Sequence, residues 1–233
     1  FTPRSLPEVA PLYSGERSFL AASGYPMHPE YRLLPATAEH GRLAERVREL
    51  DDGTARFLVE EPAVGERLHW QTDAAIIGGF RYRNLAHSMA NLYRRHKFGV
   101  AGDDILRTYF ETYAVGWVIV SSGATWWDER PDLVTLVGKV GHHRIYRTTI
   151  TPHLIQQGGG RVTARPNEIA VTGSDPDVDL VLRFHWMEHL VCEPGCRIRR
   201  EPIDDLDPVG FIRVPAPHPA DLVIVNRYEE APP

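Results

Sequence analysis

Asp177-Val-Asp-Leu-Val-Leu-Arg-Phe184 is the stretch whose reading decides the fold. Val178, Leu180, Leu182 and Phe184 fall on one side of it, and Asp179, Val181, Arg183 and His185 on the other. That period of two is the signature of a strand in a sheet with one buried face. Phe211-Ile-Arg-Val214 and Asp221-Leu-Val-Ile-Val-Asn-Arg-Tyr228 repeat the pattern, divided by the turn segment Pro215-Ala-Pro-His-Pro219. Pro, Gly and Asp punctuate every join, so residues 161–228 are expected to form a small antiparallel sandwich.

Working back from there, the chain changes character. Residues 1–35 are rich in Pro, Gly and Ser and show no sustained period, the pattern of an extended lead-in. A helix is expected over Thr37–Leu50, capped by Thr37, striped with Leu43, Val47 and Leu50, and ended by Asp51-Asp-Gly53. Ala55–Glu60 follows as a strand, and helix, turn and strand in that order open an α/β unit. Ala74–Gly79 reads as a strand or short helix. Leu85, Met89 and Leu92 mark a helix begun by Asn84 and ending in Arg94-Arg-His-Lys97, whose cations suit the negative end of the helix dipole. Asp103 caps a helix bearing Ile105, Leu106, Tyr109, Phe110 and Tyr113. Gly116–Ser121 has no polar side, as expected of a central strand covered on both faces. A short helix or turn is expected over Trp126–Asp128 and Pro131–Val137, then a strand over His142–Thr148. The seam is placed at Pro152–Gly160.

The expected fold class is therefore α+β. A lead-in over 1–36 precedes an N-terminal α/β subdomain over 37–150, a small sheet flanked by helices. An antiparallel β-sandwich subdomain of jelly-roll-like form follows over 151–233.

Composition bounds the function. The 233 residues are 42% apolar and 24% charged, ordinary for a folded chain, and suffice for one large core or two small ones. A net charge of −5 gives nucleic-acid binding no electrostatic support, so no nucleic-acid partner is expected. No apolar run approaches the ~20 residues of a membrane helix. The abrupt ends at Phe1 and Pro233 are expected of a piece of a longer protein.

The residues that could carry chemistry are few. Cys192 and Cys196 flank Glu193-Pro-Gly195, where a tight turn brings two sulfurs within bonding reach. A disulfide is expected in an oxidising compartment, with a reduced thiol pair as the alternative. His185-Trp-Met-Glu-His189 matches H-x-x-E-H, but that zinc chemistry needs a helix. On a strand the two histidines stand about 13 Å apart, so no metal is assigned. His142 and His143, being adjacent, point to opposite faces of a strand. Gly158-Gly-Gly160 lacks the Lys-Ser/Thr of a phosphate loop and reads as a hairpin turn. Ser121-Ser122 lacks a nucleophile elbow, and Asp204-Asp205-Leu-Asp207 reads as a solvated loop rather than a calcium loop. No catalytic residue and no cofactor is assigned. The expected binding surface is the α/β half: loops Glu61–Arg67 and Phe80–Asn84, where Arg81 and Arg83 flank Tyr82, and the basic helix end with Arg94, Arg95 and Lys97.

Taken in order, the helix 37–50, Ala55-Arg-Phe-Leu-Val-Glu60, Ile76-Ile-Gly-Gly79, Trp117-Val-Ile-Val120, Val134–Tyr146 with His143-Arg-Ile-Tyr146, Leu180-Val-Leu-Arg-Phe184, Val209-Gly-Phe-Ile-Arg-Val214 and Leu222–Tyr228 resemble a known arrangement. It is that of the soluble extracytoplasmic portion of polytopic bacterial membrane proteins, the YfhO-type and "6-pyruvoyl-tetrahydropterin synthase-related" proteins. These look like GT-C glycosyltransferases, which take sugars from polyprenyl-phosphate donors. The resemblance implies a non-catalytic domain on the extracytoplasmic face of the cytoplasmic membrane. It would assist the binding of a glycan or lipid-linked sugar, partnered with the transmembrane part of the same parent. The catalytic acid of such transferases lies between membrane helices, outside this chain. Trp126-Trp-Asp128 has the letters of the WWD of oligosaccharyltransferases but follows a later strand. Buried aromatics and a sugar-stacking platform are its two readings. A free-standing carbohydrate-binding or cell-envelope module is the alternative function, and a metal-dependent hydrolase the third.

Overall fold

Leu43, Ala44 and Val47 are the buried stripe of helix α1, Ala38–Leu50, where the spacing of apolar residues put it. Thr37 caps it, its Oγ1 accepting from the backbone N–H of His40 at 3.3 Å. The computed structural model describes residues 37–78, 92, 103–121, 123, 126–165, 167–204 and 207–227. The chain divides into two compact units, Phe1–Gly41 and Arg42–Pro233, and the second holds the three sheets of the described residues.

The first sheet is five-stranded and mixed. β1 (Arg56–Val59) lies between β2 (Ile76–Gly78) and β3 (Val115–Ser121) and is parallel to both. β5 (His143–Thr148) and β4 (Val134–Val140) extend the sheet antiparallel beyond β3. α1 and α2 (Pro62–Gln71) cover one face, where Leu43, Val47, Val64 and Leu68 meet Phe57, Trp117, Ile119 and Ile145. α3 (Asp103–Tyr113) covers the other, packing Tyr109, Phe110 and Tyr113 on Leu58, Val118, Val120 and Tyr146. β3 is thus the buried central strand that its unbroken apolar run implied. Gly116 is small for a physical reason. A Cβ there would stand 2.5 Å from that of Ala55.

Two four-stranded antiparallel sheets form the sandwich. One has the order β10 (Leu190–Glu193), β13 (Leu222–Asn226), β8 (Glu168–Thr172), β7 (Arg161–Arg165). The other has the order β11 (Arg199–Glu201), β12 (Phe211–Val214), β9 (Leu180–His185), β6 (Ile155–Gln157). Val162, Val171, Leu222 and Ile224 of the first face Leu180, Leu182, Ile212 and Val214 of the second. The fold is α+β, an α/β part followed by a sandwich.

Five local expectations are corrected. Glu61–Arg67 is not a loop: Pro62 occupies the first turn of α2, where its missing N–H costs nothing, and Val64 and Leu68 supply an i, i+4 apolar pair. Pro131–Val137 is neither helix nor turn beyond its first residues. From Val134 it is the edge strand β4, whose alternation is broken by an irregularity between Leu136 and Gly138. Gly158-Gly-Gly160 is not a hairpin turn. Its three residues, with φ of 96°, 67° and 93°, carry the chain from β6 in one sheet to β7 in the other. The second side of Asp177–Phe184 is not a free face. Val181 joins the core beneath α3 together with Phe211, so the β9 sheet is covered on both sides there. Finally, Val178 does not join the buried face and is 37% exposed.

Candidate functional site

The order β2-β1-β3 makes the chain leave β1 for one neighbour and return on its other side. α2 and α3 accordingly lie on opposite faces. Open α/β sheets hold ligands at such a reversal, outside the carboxyl ends of the strands. At that edge here stand Glu60 after β1, Ser121 at the end of β3, and His143 and Arg144, which pair with Ser121 and Val120 from β5. The backbone N–H of Ser121 points to Glu60 Oε2 at 3.4 Å, and burial pushes the Glu60 carboxyl up from its usual range.

The chain leaving β3 folds into a 3-10 turn, Trp126–Glu129, packed against β4. Trp127 is fully buried, its ring 6.0 Å from that of Phe110 on α3 at an interplanar angle of 20°. Trp126 lies over Trp127 at 4.0 Å and 27° and is 40% exposed. Three stacked aromatics thus fix one indole face toward solvent. Beside it, Asp128 accepts from the Tyr146 hydroxyl at 2.7 Å and pairs with Arg144. The Tyr146 bond first, and then Arg144, hold the Asp128 carboxyl below its ordinary value. Lys139, opposite Arg144 in the strand register, adds a second cation. Two donors in this cluster, Trp127 Nε1 and Arg144 Nε, are buried without a partner. Buried polar atoms are seldom left so. The cluster's solvent-facing part is therefore an apolar plate, a carboxylate and two cations.

Trp126-Trp-Asp128 is one motif in the sequence, and the structure divides it: Trp127 is core and Trp126 is surface. Arg81, Tyr82, Arg83, Arg94, Arg95 and Lys97, with the helix expected from Asn84 to its last turn at Arg94–Lys97, lie outside the described residues, apart from buried Leu92. Cys192 and Cys196 are disulfide-bonded, with Cα atoms 5.2 Å apart, around a turn closed by Gly195 N–H donating to the Cys192 carbonyl at 2.9 Å. The turn joins strands of different sheets rather than a hairpin.

His185 ends β9 and His189 sits in the following turn, so the H-x-x-E-H residues are not on a helix. Among the described residues no group of three or more His, Cys, Asp or Glu is placed to hold a metal. Asp207, expected in a solvated loop, is instead 1% exposed. Its Oδ2 accepts from Tyr113 at 2.5 Å and faces His185 Nε2 at 2.8 Å, and its Oδ1 accepts from the Val209 N–H at 3.1 Å. The side-chain partners Tyr113 and His185 are 94 and 22 residues away, so no local pattern marked this carboxylate for burial. No helix of the described residues is long and apolar enough to cross a membrane. No family model, no curated protein and no solved structure matches the chain.

Proposed function

We propose that this chain is a non-catalytic glycan-binding domain, the extracytoplasmic part of a GT-C-type membrane glycosyltransferase-like protein, holding a glycan or lipid-linked sugar. The observation that carries the reading is the fixed, solvent-facing indole of Trp126 beside Asp128 and Arg144. A pyranose ring has one apolar C–H face and an equator of hydroxyls that both donate and accept. A flat aromatic plate flanked by a carboxylate and cationic donors matches both features. The Cys192–Cys196 bond supports an oxidising compartment. The resemblance of the sequence segments between residues 37 and 228 supports the membrane-bound parent.

The test is titration of the isotopically labelled chain with soluble oligosaccharides, followed by the indole N–H resonances in NMR. Saturable shifts of Trp126 and Trp127 that vanish in Trp126→Ala are expected. Absence of any saturable shift across neutral, amino and acidic sugars overturns the reading. In the parent protein, Trp126→Ala is expected to slow glycan transfer with membrane insertion unchanged.

A further inference from the structure

Short connections join β6 to β7 and β10 to β11, so these pairs of edge strands close the two sides of the sandwich. The β10–β11 side is built by the cysteine turn, and past Cys196 the chain reads Arg197-Ile-Arg-Arg200. Ile198 packs against the sandwich core, while Arg197, Arg199 and Arg200 are all exposed. The Cys192–Cys196 bond holds one end of this segment. The pairing of Arg199 and Arg200 with Arg213 and Ile212 of β12 holds the other. Three guanidinium groups are thus mounted on four residues, which span about 10 Å when extended. The carboxylates around them are already engaged. Glu193, before the turn, pairs with Arg227, and Glu201 and Asp179 both pair with Arg213. Arg197, Arg199 and Arg200 make no hydrogen bond or ion pair through their side chains among the described residues.

β11 has three residues and is followed by Pro202, so it offers too short an edge for a partner strand, and what the strip can recognise is charge. Large apolar side chains adjoin it. Val191, the residue before Cys192, is exposed, as is Met187 in the turn leading into β10. The Cα atoms of Cys192 and Cys196 are 5.2 Å apart, which sets Val191 and Arg197 on either side of one cross-link. We propose that this side of the sandwich docks onto an anionic phospholipid surface. Guanidinium groups bond headgroup phosphates, and exposed aliphatic groups among them enter the boundary of the acyl region. An acidic polysaccharide would use the cations and leave Val191 in water, so the apolar neighbours favour the bilayer. The net charge of −5 opposes approach to such a surface by the chain as a whole, so contact through this strip also fixes which side faces the membrane. The inference does not depend on the glycan reading, because its residues are in the sandwich and Trp126 is in the α/β part. Flotation reads one and the indole resonances the other, so either can fail alone.

The experiment is flotation of the oxidised chain with phosphatidylglycerol vesicles and, separately, with phosphatidylcholine vesicles. Co-flotation with phosphatidylglycerol alone is expected, and it should weaken as salt rises, because screening already sets in beyond about 8 Å at physiological ionic strength. Arg199→Gln/Arg200→Gln is expected to lower the partition coefficient about thirtyfold, about fivefold for each cation. Arg161→Gln/Arg165→Gln removes the same charge from exposed positions of β7, on the other side of the sandwich, and is expected to leave the coefficient unchanged. Val191→Ser is expected to weaken partition and to keep its salt dependence. All these positions are exposed, so the variants should melt with the wild type, and the lipid and salt comparisons need no variant. Absence of co-flotation with phosphatidylglycerol, or an equal loss in both double variants, overturns the inference. Retention on immobilised polygalacturonate without co-flotation likewise overturns it and reassigns the strip to an acidic polysaccharide.

Discussion

Tyr113, the last residue of α3, donates its hydroxyl to the buried Asp207 carboxylate at 2.5 Å, joining positions 94 residues apart. The same oxygen faces His185 on β9, so one carboxylate ties the α/β part to the sandwich. The Tyr113 ring also meets Phe211 edge-on at 5.9 Å.

Asp207→Asn is expected to destabilise the chain by about 1–3 kcal/mol, because a charged acceptor of several hydrogen bonds is replaced by an amide that satisfies fewer of them. Urea unfolding should show a lower midpoint at an unchanged slope. An unchanged midpoint would show that this carboxylate is not an interlock.

Acid should weaken the same tie. Burial pushes the Asp207 carboxyl up, but the His185 hydrogen bond and charge, followed by the Tyr113 bond, outweigh it and leave the group below the usual carboxylate value. Such a group adds stability above its unfolded value of about 3.9 and loses it as pH falls through its lower folded value. Asp179, held by the Ala216 N–H and by Arg213, acts in the same sense. Glu60, raised by burial, acts in the opposite one. The stability difference between wild type and Asp207→Asn is expected to hold above about pH 5 and to shrink as pH falls below about 4, toward the lower folded value. Urea midpoints across that range measure it.

Trp126 and Trp127 should separate cleanly. Trp127→Ala removes a fully buried indole stacked on Phe110 and is expected to cost about 3–5 kcal/mol. Trp126→Ala is expected to cost about 1 kcal/mol or less, since its outer face is already in water. Melting curves of the two variants are the comparison; equal losses would mean that Trp126 is a packing residue.

Denatured, unreduced protein is expected to show no titratable thiol, because Cys192 and Cys196 are bonded. Cys192→Ser/Cys196→Ser should lower stability by about 2 kcal/mol or less, less than the ~3 kcal/mol of a 15-residue loop, since so short a loop restrains the unfolded chain only slightly. Two free sulfhydryls in the titration would refute the pairing.

Gly116→Ala is expected to destabilise by about 1–3 kcal/mol through overpacking. The added methyl meets Ala55 Cβ at 2.5 Å and Pro152 Cγ at 3.0 Å, both buried residues just outside the strands. A variant as stable as wild type would show that β1 and β3 can move apart.

Periodicity located α1, α3, β3, β9 and the last two strands, because each buries a stripe or face whose spacing is set by the backbone itself. It missed α2, whose Gly65, His69 and Trp70 dilute a stripe of only Val64 and Leu68, although Pro62 marked its start. It missed β4 because an edge strand buries little. Leu136 and Val137 are 41% and 42% exposed, and the irregularity at Val137 breaks the alternation.

The sequence by itself determined the α+β class, the α/β-then-sandwich order and the cysteine turn, since each follows from spacing along a few consecutive residues. Tertiary structure decided which of two adjacent tryptophans faces water and that Asp207 is buried. Those outcomes depend on partners such as Phe110, Tyr113, Tyr146 and His185, brought together by sheet order and packing across long separations. Burial and charge environment are properties of the assembled neighbourhood, and local pattern carries no term for them.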